Sequence, residues 1–277
     1  MNNMKAKYLM IIAATMMVAC QKNAGEAIKE TEKENPLAEI FLVVGDDDIN
    51  VDTKTTAVTA VPSTLYWGAT TGSGTESAKW STASSSVSSS KISTGKYQTY
   101  SPTTYNYYVS NVNFTTNGDS SVSASNTTDV VCGRTSTNST TPSVTLNHIF
   151  ARTGSFTMNT QSGYTISNVS WTISGAGTAG TYSMKNGTWS GLTALGETSV
   201  GSGSDLYLVP GTYTIKCSYT LTKGDWSASF TKSASVTLVA GKINNITGTA
   251  SGGAATEIVI SVSLTAWSSE THNLSFS

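Results

Sequence analysis

Cys20 carries the clearest chemical signal in the chain. Lys5 and Lys7 precede an apolar run from Tyr8 to Val18, and the run ends in Met17-Val18-Ala19-Cys20. A positive region, a short apolar region and a small residue ahead of the cut are the parts of a secretory signal, too short for a membrane span. A small residue directly before a cysteine is what a lipoprotein signal peptidase requires, because the thiol is acylated first and then becomes the new N-terminus. Lipidation at Cys20 and loss of residues 1–19 are therefore predicted; the alternative is an ordinary secretory signal with an incidental cysteine. Each buried methylene of an acyl chain contributes about 0.8 kcal/mol, so several chains on one cysteine make a near-permanent membrane anchor.

Other candidates for chemistry are few. The 277 residues include two histidines, which leaves little material for acid–base work or a multi-histidine metal site. His148 lies in Leu146-Asn147-His148-Ile149-Phe150, but no Gly-x-Ser-x-Gly elbow accompanies it, and a hydrogen-bonded interior histidine on a strand is expected. His272 falls in a polar tail. Asp46-Asp47-Asp48 lacks the spacing of a calcium loop and reads as a solvated turn. Gly175-Ala176-Gly177 and Gly201-Ser202-Gly203 lack the strand-then-helix context that cradles phosphate, and they too read as turns. No Cys-x-x-Cys pair is present to hold zinc. Cys132 and Cys217 sit in apolar alternation in segments assigned to different domains; the exported compartment permits a disulfide, but buried free thiols are expected. Trp80 and Trp189 fall outside obvious core alternation and are the candidates for a sugar-stacking platform, with core packing the default. No enzymatic activity, cofactor or metal is expected.

Composition sets the frame in which these residues sit. Lys plus Arg number 16 against 17 Asp plus Glu, charged residues make up only 12%, and no basic stripe exists, so nucleic acid has no electrostatic footprint to bind. After Cys20, the charged stretch Gln21 to Asn35 has almost nothing to bury and reads as a solvated tether. Beyond Pro36 helical periodicity vanishes and period-two alternation takes over, the signature of an all-β sandwich or barrel.

The clearest predicted strand is Thr212 to Leu221, joined through the turn Lys223-Gly224-Asp225 to a hairpin partner carrying Trp226, Ala228, Phe230, Val236 and Leu238. Tyr164 to Ile173 makes another, with a phase slip at Ser167-Asn168 that predicts a bulge. Further strands are predicted over Ala38 to Val44, Tyr105 to Phe114, Val144 to Met158 with a bend near Gly154, and Ile258 to Leu264. The Ser/Thr-rich stretch Gly72 to Ser93 reads as a long surface loop. A boundary near Pro142 divides the mature chain into domains 36–142 and 143–277, each enough for a sandwich.

Taken in order, these features resemble the fimbrillin (Mfa-like) family, pilus subunits of Bacteroidales-type bacteria. The resemblance rests on the signal ending at Cys20, on Asp52-Thr53-Lys54-Thr55-Thr56, and on Gly95-Lys96-Tyr97-Gln98 followed by Pro102 and Tyr105-Asn106-Tyr107-Tyr108-Val109-Ser110-Asn111. It continues through Val144-Thr145-Leu146-Asn147-His148-Ile149-Phe150-Ala151-Arg152, Leu206-Tyr207-Leu208-Val209-Pro210-Gly211 and the terminal strand ending in Trp267, so it spans nearly the whole chain.

What the resemblance implies is two consecutive transthyretin-like β-sandwich domains, export as an outer-membrane lipoprotein, proteolytic removal of a first strand, and polymerisation by a strand donated from another subunit. Partners would be other fimbrillin subunits, the outer membrane through the lipid anchor, and host surface glycans or proteins. A monomeric surface lipoprotein that binds glycans is the alternative. A sandwich deprived of an edge strand exposes unpaired backbone groups beside an apolar groove, and a foreign strand repairs both. The removable strand is expected at Ala38 to Val44, with Ile40, Leu42 and Val44 on one face, followed by the polar exit Gly45 to Thr56. The family's subunits are cut after arginine, yet this chain has none before Arg134. Lys54 is the one basic residue in the exit segment and the candidate processing site, unless the subunit keeps strand and anchor as a base or accessory subunit.

Overall fold

Alternating apolar and polar residues from Leu37 onward become strands in the computed structural model, which describes residues 37–46, 62–72, 77–89, 91–99, 103–201, 203–251, 257–266 and 271–272. In chain order the strands are β1 (Leu37–Asp46), β2 (Thr64–Thr71), β3 (Ala78–Ser86), β4 (Lys91–Thr99), β5 (Tyr105–Ser110), β6 (Ser121–Ser125), β7 (Val131–Thr137), β8 (Ser143–His148) and β9 (Ala151–Thr160). They continue as β10 (Thr165–Ser183), β11 (Thr188–Val200), β12 (Tyr207–Leu208), β13 (Gly211–Lys223), β14 (Trp226–Leu238), β15 (Lys242–Ser251), β16 (Glu257–Ala266) and β17 (Thr271–His272). The described residues contain no helix. The fold is all-β and sandwich-like, as the alternation requires.

The strands of the first half join in the order β3-β2-β5-β7-β8-β1-β4. Ile40, Leu42, Ile92, Val144 and Leu146 pack in one core with Leu65, Trp67, Tyr107 and Val109 from the other end of that series. The second half stacks β11-β10-β13-β14 on β12-β9-β15-β16-β17. Its core is the buried face of β13, Tyr213 to Leu221, packed with Trp171, Ile173, Phe156 and Ile246. Tyr213 ties this core to the backbone: its hydroxyl accepts from Gly177 N–H at 3.0 Å and lies 2.8 Å from the carbonyls of Gly177 and Val209.

Long β10 connects the halves. Thr165–Gly175 pairs with β13, while Ala179–Ser183 pairs on with β6 of the first half. The hairpin tip beyond it is held to the first half by Met184 N–H to Ser120 O, Lys185 N–H to Asp119 O, and Arg134 Nη1 donating to Lys185 O at 2.7 Å. A third core of Tyr108, Val122, Cys132, Phe150, Met184 and Val209 fills the junction.

The hairpin β13–β14 runs in register from Gly211↔Leu238 to Lys223↔Trp226, and the predicted bulge lies between Ser167 and Ser170, where Asn168 adopts φ 52. Four expectations need correction. The stretch Gly72 to Ser93 is not a surface loop, since it contains all of β3 and the start of β4. Thr and Ser serve well on a strand with one exposed face, and Trp80 anchors the strand against Tyr105, ring centroids 5.1 Å apart. Val144 to Met158 is two strands in different sheets, broken at Ile149-Phe150 rather than bent at Gly154. Gly154 lies within β9, at a position where a side chain would meet Ile243 and Asn245.

The strand from Tyr105 stops at Ser110, where the Asn111 side chain takes over ladder bonding: Val131 N–H donates to Asn111 Oδ1 and Asn111 Nδ2 donates to Asp129 O, both at 2.9 Å. Gly175-Ala176-Gly177 is no turn but part of β10, where Gly175 at φ 138 presses against Thr212 and Tyr213. Pro142 itself lies in the connection between β7 and β8, which pair at Val131↔His148 and Cys132↔Asn147.

Candidate functional site

The sequence Ile40-Phe41-Leu42-Val43 favours an extended strand through branched and aromatic side chains. Within β1, Ile40 and Leu42 are 0% exposed, while Phe41 faces outward at 36%. Burying each of the two aliphatic side chains contributes about 1.5 to 3 kcal/mol relative to exposure.

The strand is hydrogen-bonded along both edges. On one side it runs parallel to β8, from Val43↔Ser143 to Asp46↔Leu146. Phe41 N–H donates to Thr140 O at 3.0 Å and Val43 N–H to Pro142 O at 2.8 Å. On the other side it runs antiparallel to β4, with a register shift between Glu39↔Tyr97 and Phe41↔Ser93. The extra residues on β4 include Gly95 at φ 60, a conformation that favours glycine. The Thr94 hydroxyl fills the gap, donating to Ile40 O at 2.7 Å while accepting from Lys96 N–H at 3.1 Å.

β1 is therefore the next-to-last strand of its series, not the edge expected from sequence. β4 joins the ladder only through β1 among the described strands. Removing β1 would uncover Ile92, Val144 and Leu146, unpair backbone groups on both sides and leave β4 without its neighbour.

Val44 pairs with Val144 through the backbone. Cys20, Lys54 and Asp47-Asp48 lie outside the described residues. The terminal strand, β16, pairs with β15 from Lys242↔Ala266 to Ser251↔Glu257 and is followed by β17, which holds His272 opposite Leu264.

Elsewhere, His148 is buried with Nδ1 2.8 Å from Asp129 Oδ2, an interior pair as expected. Cys132 and Cys217 are free and buried, and burial pushes their thiols up to about 12 and about 11. Trp80 belongs to an aromatic cluster with Trp67, Tyr105 and Tyr107. Trp189 is half-buried beside Tyr182 and Phe150, at ring-centroid distances of 5.3 and 5.1 Å. Among the described residues, no group of three or more His, Cys, Asp or Glu is placed to hold a metal. Sequence reading missed the two-sided bonding of β1 and the Thr94–Gly95 irregularity; the single Gly within a Ser/Thr-rich strand was the available signal.

No protein-family model matches the sequence, and no curated protein matches it. Solved structures do share the fold. A "putative cell adhesion protein" from Parabacteroides distasonis superposes with TM-score 0.54 at 12% identity, covering 85% of this chain and 98% of its own. A "putative cell adhesion protein" from Bacteroides eggerthii gives TM-score 0.51 at 14% identity, with 84% and 97% covered. A fimbrial assembly protein from P. distasonis aligns at TM-score 0.48 and 11% identity, with 87% and 100% covered.

Proposed function

We propose that this chain is a structural subunit of a surface pilus in the fimbrillin manner, exported as a lipoprotein through Cys20 and assembled when β1 is replaced by a strand from another subunit. The observation that carries the reading is the seat of β1: Ile40 and Leu42 fully buried, hydrogen bonds along both edges, and a polar exit ahead of β2 that contains Lys54. A seat of this kind is costly to leave empty, so cleavage of the exit favours capture of a foreign strand. The fold shared with cell adhesion proteins of Bacteroides and Parabacteroides supports a role at the cell surface. The partners are other subunits of the same kind, and adhesion to host glycans or proteins follows from display on the fibre. In a subunit that retains strand and anchor, the same architecture serves as base or accessory subunit.

Mass spectrometry of the mature N-terminus on cells tests the reading. An acylated Cys20 in the membrane and a second N-terminus within residues 45–56 in high-mass, heat-labile material are expected. A Cys20→Ala variant should remain unprocessed or be released. Firm retention of that variant in the outer-membrane fraction would contradict the lipid anchor.

A further inference from the structure

Where β8 leaves the first sheet and the β10–β11 hairpin crosses the junction, the surface opens into a cleft of about 600 Å³. This volume lies within the range of small-molecule sites, and junctions between packed units are where such sites concentrate. Tyr182 and Trp189 stand opposite each other on β10 and β11 and supply its aromatic wall. Phe150 lies behind Trp189 with its ring centroid 5.1 Å away and fixes the indole in place. Exposed Asn147, near the end of β8, brings an amide to the lining, while the side chain of His148 next to it is buried. His148 Nδ1 lies 2.8 Å from Asp129 Oδ2. The first residue of β15, Lys242, is the one lysine or arginine among the lining residues, which include no carboxylate.

These parts define a ligand. A rigid indole beside a phenol offers a flat apolar surface with polar edges. The Asn147 side-chain amide is a neutral hydrogen-bonding group that suits hydroxyls. A half-buried lysine without a carboxylate in the same lining favours an anion over a neutral molecule. We propose that the cleft binds a saccharide unit bearing a carboxylate, its ring face against Trp189, its hydroxyls on Asn147, and its acid group toward Lys242. The site lies apart from the β1 seat and goes beyond the assembly role: its failure leaves strand exchange untouched, and the reverse holds.

The full chain in detergent solution can be titrated with methyl glucuronide and N-acetylneuraminic acid, with methyl glucoside as the neutral arm. Saturation-transfer NMR and tryptophan fluorescence follow binding. Saturable binding of at least one acid is expected with Kd at or below about 1 mM, about tenfold tighter than the glucoside. Lys242→Gln should weaken it about tenfold, and Asn147→Trp, an exposed position on β8, should block the mouth without disturbing the core. Unchanged melting of the Asn147→Trp variant separates blockage from unfolding. The proposal is overturned by absence of saturable acid binding up to about 10 mM, by equal affinity for the glucoside, or by binding that survives both substitutions.

Discussion

The Thr94 hydroxyl donates to the carbonyl of Ile40 across 2.7 Å, at the one place where the β1–β4 ladder skips register. A side chain here replaces a missing backbone partner, and Thr94 itself is buried. Thr94→Val keeps the shape but leaves the carbonyl without that donor, at an expected cost of about 1 to 3 kcal/mol. Hydrogen exchange should show the loss concentrated in β1 and β4. Uniform loss of protection across both halves would contradict a local role.

Leu42 is fully buried between β4 and β8. Leu42→Ala should destabilise the first half by about 2 to 5 kcal/mol, and Phe41→Ala, on the exposed face, by much less. Denaturant melts of the two variants check the difference in burial directly.

Tyr213→Phe removes the hydroxyl that receives Gly177 N–H and lies near two carbonyls. The Gly177 carbonyl still accepts from Val209 N–H at 2.9 Å, so the loss falls on Gly177 N–H and the Val209 carbonyl and should cost about 1 to 3 kcal/mol in the second half. Thermal melting with unaltered β1 exchange is the expected pattern.

Raising pH should destabilise the chain. Unfolded thiols and phenols ionise near 9.0 and 10.0, whereas burial keeps Cys132, Tyr107 and Tyr182 protonated up to about 12. The folded-state values are raised, so the stabilisation is complete below the unfolded values and is lost as pH climbs from there toward the folded ones. For Cys132 alone the slope approaches about 1.4 kcal/mol per pH unit between about pH 9 and 12. Urea melts in that window should show a shallower pH dependence for Cys132→Ala, and an unaltered slope would contradict the assignment.

Much of the second half was legible because its strands alternate strictly. Tyr213 to Leu221 face the core one by one, and even the bulge at Asn168 shows as a phase slip before Val169 and Trp171. β3 was not legible, since Ser and Thr occupy both of its faces and leave no hydrophobic period. Ile149-Phe150 hid a strand break, because two consecutive apolar residues read as continuation although Phe150 turns into the junction core. For the strand seat, the identity and inward face of Ile40 and Leu42 were readable, but the place of β1 between β8 and β4 was not. A parallel neighbour about a hundred residues downstream leaves no local trace. The cleft is harder still: Asn147, Tyr182, Trp189 and Lys242 come from four strands, and of these only Trp189 stood out beforehand.

Strand exchange at the β1 seat is tested most directly by cutting the purified chain between Asp46 and Thr56 and following its mass by size-exclusion chromatography with light scattering. The cleaved chain should release residues up to the cut and convert from monomer to oligomers. A synthetic peptide spanning Leu37–Asp46, added in excess, should hold it monomeric by refilling the seat. A product that has lost β1 completely, yet remains a folded monomer with an unchanged melting temperature and no affinity for the peptide, would contradict the account.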